Sequence, residues 1–365
     1  MTFPMPIHVE LNLKALQTNL EQARRFAPSS KVLAVVKADG YGHGLTRVAG
    51  ALREADGFAV ARMEEGIALR RAGIGHPIVV LQGFQDRHGW DILCQYRLEP
   101  VVHEFCQIET VARQQSLRPW IKFDSGMHRL GMAQDDFAAA VEKLTPLKPV
   151  LMSHFACADE RQSPVTASQL AAFEQVTQGL GLPRSCANSA AVLSCPQSHF
   201  DWVRPGLMLY GISPFPGTTG PELGLQPVMT LKSRVIAIKT LAPGEPVGYG
   251  GTWTSRRPSR LGVVAAGYGD GYPREVSTGT PVLANGIRVP LVGRVSMDMI
   301  SVDLTDHPEI QAGAEVILWG EGLPVEEIAR HAGTIPYTLI CGITARVAKV
   351  ETGGGEIHGA RQSCL

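Results

Sequence analysis

A parallel (β/α)8 barrel followed by a mainly β domain is the architecture this chain predicts. Three observations carry that prediction. Eight short apolar runs alternate with helical stretches through the first part of the chain, a rhythm that makes consecutive strands parallel. Beyond about Leu225 the rhythm changes to alternating runs punctuated by Gly/Pro turns, which read as antiparallel strands. Polar residues also collect at the carboxyl ends of the early runs, where barrels keep their chemistry. At 365 residues two domains are expected: a barrel over residues 10–227 and a β domain over 228–365, to which residues 1–9 add a strand. The rival, a doubly wound open sheet, usually has fewer strands and one dominant Gly-rich loop, and no GxGxxG stands here in a strand–helix context.

The totals exclude several classes. Lys+Arg and Asp+Glu are 34 each, so no net field attracts nucleic acid or a membrane surface. No apolar run reaches the roughly 18 residues of a spanning helix. The start, Met1-Thr-Phe-Pro-Met-Pro6, has neither the basic lead nor the apolar centre of a signal peptide. Seven scattered cysteines without a CxxC pair read as free thiols in a reducing compartment, not as a disulfide framework or a zinc site. The expectation is a cytoplasmic protein with no nucleic-acid, membrane or metal partner.

In chain order, the alternating stretch His8–Asn12 reads as a strand, and Asn12 is placed to cap a helix over Leu13–Phe26. Barrel strands follow at Val32–Ala38, Phe58–Ala61, Ile78–Leu81, Leu98–Val102, Trp120–Phe123, Val150–Phe155, Ser185–Asn188 and Trp202–Arg204. Helical spacing fills Leu45–Glu54, Met63–Ala72, Glu104–Gln115, Asp135–Lys143, Ala167–Gly179 and Ala190–Cys195. The first barrel run delivers Lys37 into Ala-Asp-Gly-Tyr41-Gly-His-Gly44. A lysine next to apolar neighbours loses hydration, and its amine becomes a usable nucleophile or base. A salt bridge at a barrel rim is the plainer alternative, but three glycines in the following turn let backbone N–H groups approach an anion. Other strand ends carry Lys122, Asp124, Arg129, His154, Asn188, Ser189 and Arg204. The loops after the last two strands are where many barrels hold a phosphate, and Ser189 with the Gly206 and Leu207 amides are suitable donors. An amine at one end and a phosphate site at the other suit pyridoxal 5′-phosphate joined to Lys37, or a sugar-phosphate aldolase.

In the second domain, strands read over Leu231–Ile238, Leu261–Ala266, Thr280–Leu283, Arg288–Val292, Met299–Asp303 and Glu315–Trp319, with a helix at Pro324–Ala332. Asn285-Gly286 is a hairpin signal. The segment after Val350 reads as disordered.

These residues resemble the alanine racemase family. The resemblance rests on Val35-Val-Lys37-Ala-Asp-Gly-Tyr41-Gly-His-Gly, Lys122-Phe-Asp-Ser-Gly-Met-His-Arg129-Leu-Gly, His154-Phe-Ala, Asn188-Ser-Ala-Ala, Arg204-Pro-Gly, Val247-Gly-Tyr249-Gly, Gly267-Tyr268-Gly-Asp-Gly and Gly293-Arg-Val-Ser-Met297-Asp. It implies pyridoxal phosphate on Lys37, alanine as substrate, and a head-to-tail homodimer whose sites draw residues from both chains. By the same resemblance Lys37 and Tyr249 are the two bases, Tyr249 coming from the partner. Racemisation needs a base on each face of Cα, and a tyrosine near pKa 10 serves only when cations lower it; the family places His154 and Arg204 nearby. Tyr41, Ser189 and the Gly206 and Leu207 amides would hold the phosphate, with Asn188 alongside. Arg129 would meet the ring's phenolic oxygen, Met297 the substrate carboxylate, and Tyr268 and Tyr272 would narrow the entrance. Lys122 matches a position that is carbamylated in some members. Arg204 would face the ring nitrogen, and an arginine offers only donors, so that nitrogen stays an acceptor. Ala345 departs from the pattern, because some members carry a phosphate-binding tyrosine there. The alternatives are a racemase of broader specificity, a barrel decarboxylase (disfavoured by Arg204) and a non-catalytic cofactor-binding protein, which would leave Tyr249 without a task.

Overall fold

The computed structural model describes residues 7–114 and 116–353. Strand β1 is His8–Asn12, and the barrel strands are β2 Lys31–Val35, β3 Gly57–Val60, β4 Ile78–Val80, β5 Glu99–Val102, β6 Trp120–Lys122, β7 Val150–Met152, β8 Arg184–Asn188 and β9 Trp202–Arg204. Each pairs in parallel with the next, and β2 pairs with β9 through Lys31–Trp202 and Val32–Val203, which closes the barrel. The strands are almost wholly buried because both faces are covered, so they read as continuous apolar runs. Trp120 packs edge-on against Trp202 at 5.6 Å.

Five barrel strands end earlier than the sequence predicts, β3, β4 and β6 by one residue and β2 and β7 by three. β2 stops at Val35, so Lys37 and Ala38 lie beyond it, and β7 stops at Met152, leaving Ser153–Phe155 at the mouth. The next residues, Val36 and Ser153, each still donate to a neighbouring strand, to Ala59 at 2.9 Å and Ser185 at 3.1 Å, before the chain turns away. A helix at Arg87–Tyr96 has a weak apolar signal, with Gly89 in its first turn. Asp86 makes up for this as N-cap, accepting from the Gly89 amide at 2.8 Å. The helix expected to reach Gln115 runs over Phe105–Gln114, and Gln115 lies outside the described residues.

The remaining strands are β10 Met229–Leu241, β11 Pro246–Val247, β12 Trp253–Thr254, β13 Ser259–Val264, β14 Pro281–Ala284, β15 Ile287–Val292, β16 Ile300–Asp303, β17 Glu315–Trp319 and β18 Ala348–Thr352. Their main sheet has the order β13-β16-β15-β14-β17-β10-β1-β18. The β14–β15 hairpin turns through Asn285 and Gly286, both with positive φ (47° and 79°), as a two-residue hairpin of right-twisted strands demands. β1 lies antiparallel to β10 and parallel to β18. Its residues therefore belong to this sheet, and the chain divides into a barrel unit, residues 18–225, and a second unit of residues up to 17 with those from 226 on. Of the segment expected to be disordered, Glu351 and Thr352 lie in β18 and Gly353 follows it; residues 354–365, with Cys364, fall outside the described residues. The helix Pro336–Cys341 has no counterpart in the sequence reading. Among the described residues no helix is long and apolar enough to cross a membrane, and no cluster of three His, Cys, Asp or Glu residues could hold a metal.

Tyr272 does not stand at an entrance. It is fully buried, stacked on Trp319 at 6.0 Å, and its hydroxyl makes no hydrogen bond to a described residue. Burial pushes the phenol pKa upward. A buried donor without a partner costs about 1–3 kcal/mol. Tyr272→Phe is therefore expected to match or exceed the wild type in urea unfolding, with the KM for substrate unchanged; a rise in KM would return Tyr272 to the entrance.

Candidate active site

Lys37 opens a turn of unusual hand. Ala38, Asp39, Gly40 and Tyr41 all have φ between 52° and 61°, the left-handed region, which costs a non-glycine residue about 1–2 kcal/mol. Local bonds hold the coil. The Gly40 amide donates to the Val36 carbonyl at 2.9 Å, Gly42 to Ala38 at 2.9 Å and Gly44 to Asp39 at 2.8 Å. The Asp39 carboxylate accepts from the Leu45 amide at 2.8 Å, and His43 Nδ1 donates to the Tyr41 carbonyl at 2.8 Å. Tyr41 thereby points inward and packs on Tyr210 at 4.6 Å. The turn carries Lys37, half-buried, and Tyr41, buried, to the barrel mouth.

Closure of β2 on β9 sets this turn beside a cradle for an anion. A Cβ added to Gly206 would lie 2.5 Å from the Tyr41 hydroxyl, so only glycine lets that hydroxyl lie over the backbone here. The Gly206 amide donates to Ser189 Oγ at 2.8 Å and Met208 to the same atom at 3.3 Å, which leaves the Ser189 proton to donate. Asn188 has a local task. Its side-chain oxygen caps the following helix, accepting from the Ala191 amide at 3.0 Å, and so it orients Ser189. The Gly206 amide, expected as a phosphate donor, is thus engaged with Ser189, and the Tyr41 phenol and the Ser189 hydroxyl are the side-chain donors that meet here.

Arg204, expected at the rim, is buried, and its hydrogen-bond partners are neutral. One terminal nitrogen donates to Ser185 Oγ at 2.6 Å. The other donates to the Ser153 carbonyl at 2.6 Å, the Cys186 carbonyl at 3.2 Å and His154 Nδ1 at 3.2 Å. Those four bonds leave Nε unused. Because arginine only donates, His154 Nδ1 is the acceptor and its ring proton sits on Nε2. Burial pulls Arg204 down to about 10, still charged at neutral pH. Ser153 and Ser185 escaped the sequence reading; the signal was a hydroxyl inside an apolar strand or at its end.

The cations come together. Burial, then Arg204, Lys122, Arg129 and Lys37 in turn, hold His154 well below its ordinary value, so it is neutral. Lys122 is buried, and burial followed by Arg204 and Arg129 lowers it to about 8. Of the charges acting on Lys122 only Asp124 is negative. Asp124 itself accepts from the Gly126, Met127 and His128 amides at 3.0–3.1 Å, shaping the loop that presents exposed Arg129. A group with a phosphate, an acidic ring hydroxyl and an amine-reactive carbonyl fits this donor set.

The β unit presents its expected residues on its surface. Tyr249 is 69% exposed in the β11–β12 hairpin, which is anchored by Val247 packing on Leu261 and Val292. Tyr268 and Met297 share one cluster, since the Gly269 amide donates to the Met297 carbonyl at 2.8 Å and Tyr268 to Ser296 at 3.1 Å. Arg346 braces it with 2.7 and 2.8 Å bonds to Asp270 and Asp298, and Ala345 beside it is exposed.

A barrel with a lysine on a strained turn, a phosphate cradle and a carboxylate-free arginine is the outline of a pyridoxal-phosphate barrel protein. Comparison with known proteins narrows the class. Residues 11–214 match the family model for the alanine racemase N-terminal domain, and residues 228–351 match that for the C-terminal domain. An alanine racemase of Nitrosococcus oceani is 52% identical over 96% of this chain and 99% of its own length, and one of Aeromonas hydrophila is 50% identical over 93% and 97%. The crystal structure of a biosynthetic alanine racemase from Pseudomonas aeruginosa superposes with a TM-score of 0.91 at 44% identity, over 96% of this chain and all of that one. A Bartonella henselae alanine racemase, solved with covalently bound pyridoxal phosphate, gives 0.86 at 30% identity over the same shares. The chain belongs to the alanine racemase family.

Lys122 makes a testable electrostatic statement. Its folded value of about 8 lies below the usual 10.5. Below pH 8 both states are protonated and the cost of burying the charge is fully present; between pH 8 and 10.5 the unfolded chain binds the extra proton, so stability rises with pH. In CO₂-free buffer, Lys122→Met is expected to be more stable than wild type at pH 7, with the difference vanishing toward pH 10.5 in denaturant titrations. A difference independent of pH would refute it.

Proposed function

We propose that this protein interconverts L- and D-alanine, supplying D-alanine for peptidoglycan or degrading it, with pyridoxal 5′-phosphate held by the barrel. The observation that carries the reading is Arg204: buried, charged, joined to neutral partners, and with Nε outside its four internal bonds. Bound pyridoxal phosphate supplies the electron sink that makes the Cα proton of an amino acid removable. Lys37 attaches the cofactor and moves the proton on one face of Cα. Tyr249 of the partner subunit serves the other face, a reading supported by its exposure on an anchored hairpin. Arg204 donates to the ring nitrogen and keeps it an acceptor, which weakens the sink and favours rapid return of the proton over loss of carboxylate.

The remaining residues orient the ligand. Tyr41, Ser189 and the Leu207 amide hold the phosphate, with the Gly206 amide orienting the Ser189 hydroxyl toward it. His154 stays neutral beside Arg204. Arg129 meets the phenolic oxygen, oriented by Lys122 as a carbamate, for which the lowered amine pKa provides the neutral nucleophile. The Met297 amide takes the substrate carboxylate, and Tyr268 limits the side chain. Two copies of the chain form the homodimer, and cysteines that make no disulfide among the described residues suit a cytoplasmic setting.

The test uses purified protein, L-alanine and deuterated water. Loss of optical rotation with deuterium at Cα and no CO₂ is the expected result; CO₂ release, or inert alanine, rejects it. Tyr249→Phe should lower proton abstraction from one enantiomer by at least about 100-fold more than from the other, and equal losses in isotope-exchange rates would reject the two-base scheme.

A further inference from the structure

Glu65 lies outside every motif used above, yet its carboxylate makes three backbone hydrogen bonds at the barrel mouth. Oε2 accepts from the amides of Ala61 at 2.8 Å and Arg62 at 3.1 Å, just past β3. Oε1 accepts from the amide of Ala38 at 2.6 Å, the residue after Lys37. The Arg62 bond is ordinary for a glutamate at the third position of a helix, here Met63–Arg71, whose first turn is short of acceptors. The Ala38 bond reaches back 27 residues to another strand end and serves no helix.

That amide is the entry to the left-handed turn. The bonds inside the turn fix its coil: Gly40 to Val36, Gly42 to Ala38 and His43 to Tyr41. They do not fix the coil's attitude on the barrel. One tie comes from Val36, whose amide donates to the Ala59 carbonyl of β3 at 2.9 Å. Glu65 adds the second tie to the same neighbouring strand, on the far side of Lys37. With both flanking peptides fastened to the β3 end, the direction of the Lys37 side chain follows. A charged acceptor suits the task, because both oxygens must accept at once. An amide offers one acceptor and would set its NH₂ against a backbone N–H.

We propose that Glu65 is a positioning residue that orients Lys37 by clamping the Ala38 amide to the end of β3. The proposal rests on the reading that Lys37 carries the cofactor. Its test uses the full chain as Glu65→Gln and Glu65→Ala. Hydrogen exchange over residues 38–44 of the cofactor-free protein is expected to quicken about tenfold or more in both variants, while the rest of the helix Met63–Arg71 changes less. In the loaded protein the visible circular dichroism of the bound cofactor should shift or weaken. The kcat should fall roughly 10–100-fold, with KM for alanine moving less than about threefold, as misorientation of a reacting group predicts. If Glu65→Ala does not fold, the near-isosteric Glu65→Gln carries the test. Unchanged exchange, dichroism and kcat in a folded Glu65→Gln, with wild type loading normally, overturns the clamp and leaves only a helix cap. Wild type that takes up no pyridoxal phosphate overturns instead the functional reading of Lys37, whatever the exchange result.

Discussion

The barrel site depends on β2 lying against β9. That pairing is made by Lys31 with Trp202 and Val32 with Val203, and it continues upward as the Val35 amide donates to the Pro205 carbonyl at 3.0 Å. One rung higher the chain leaves both strands. On one side it coils into the turn bearing Lys37 and Tyr41; on the other it offers Gly206 and the short helical turn Leu207–Tyr210. Tyr210 binds the two ends together, its hydroxyl donating to the Val35 carbonyl at 3.2 Å and its ring packing on Tyr41. Lys37 and the Tyr41–Ser189–Gly206 cluster, far apart in sequence, thus share one end of the barrel.

Much of this was legible before any coordinates. Parallel strands buried on both faces must be apolar throughout, so each of the eight announced itself, and the polar residues ending five of them marked the mouth. Strand ends were overestimated at β2 and β7, where one further interstrand bond, from Val36 and from Ser153, precedes the turn and composition does not mark where the chain leaves the sheet. The hand of the Lys37 turn was not legible, because Ala38, Asp39 and Tyr41 adopt a conformation against their intrinsic preference, held by a set of bonds within the turn and by Glu65 from outside it. The same limit explains Asn188 and Tyr272. The sequence shows an amide beside a serine and a tyrosine in a glycine-rich loop, but whether the amide caps a helix or the phenol faces a core is decided by packing. Ser153 and Glu65 act through backbone groups, which no motif spells, and Ser185 through a hydroxyl that only the fold aims at Arg204.

Arg204 shows how a buried charge is kept without a counter-ion. Two carbonyls, a hydroxyl and an imidazole nitrogen solvate its terminal nitrogens as water would, at fixed angles. No carboxylate competes for the guanidinium, so its charge remains available to whatever ring nitrogen is presented. Fixing the imidazole tautomer is a by-product of the same bond.

The gathering of Lys37, Lys122, Arg129 and Arg204 around a neutral histidine, with Asp124 the one negative charge acting on Lys122, carries a consequence for the life of the chain in a cell. Like charges held together raise the free energy of the ligand-free fold, and an anion that binds only the folded form lowers it, by about 2.7 kcal/mol at a hundredfold excess over its dissociation constant. Proteases sample the fraction that is open, and that fraction shrinks as the anion saturates the site. An anion held at these cations would then set how long the folded polypeptide survives as well as what it does.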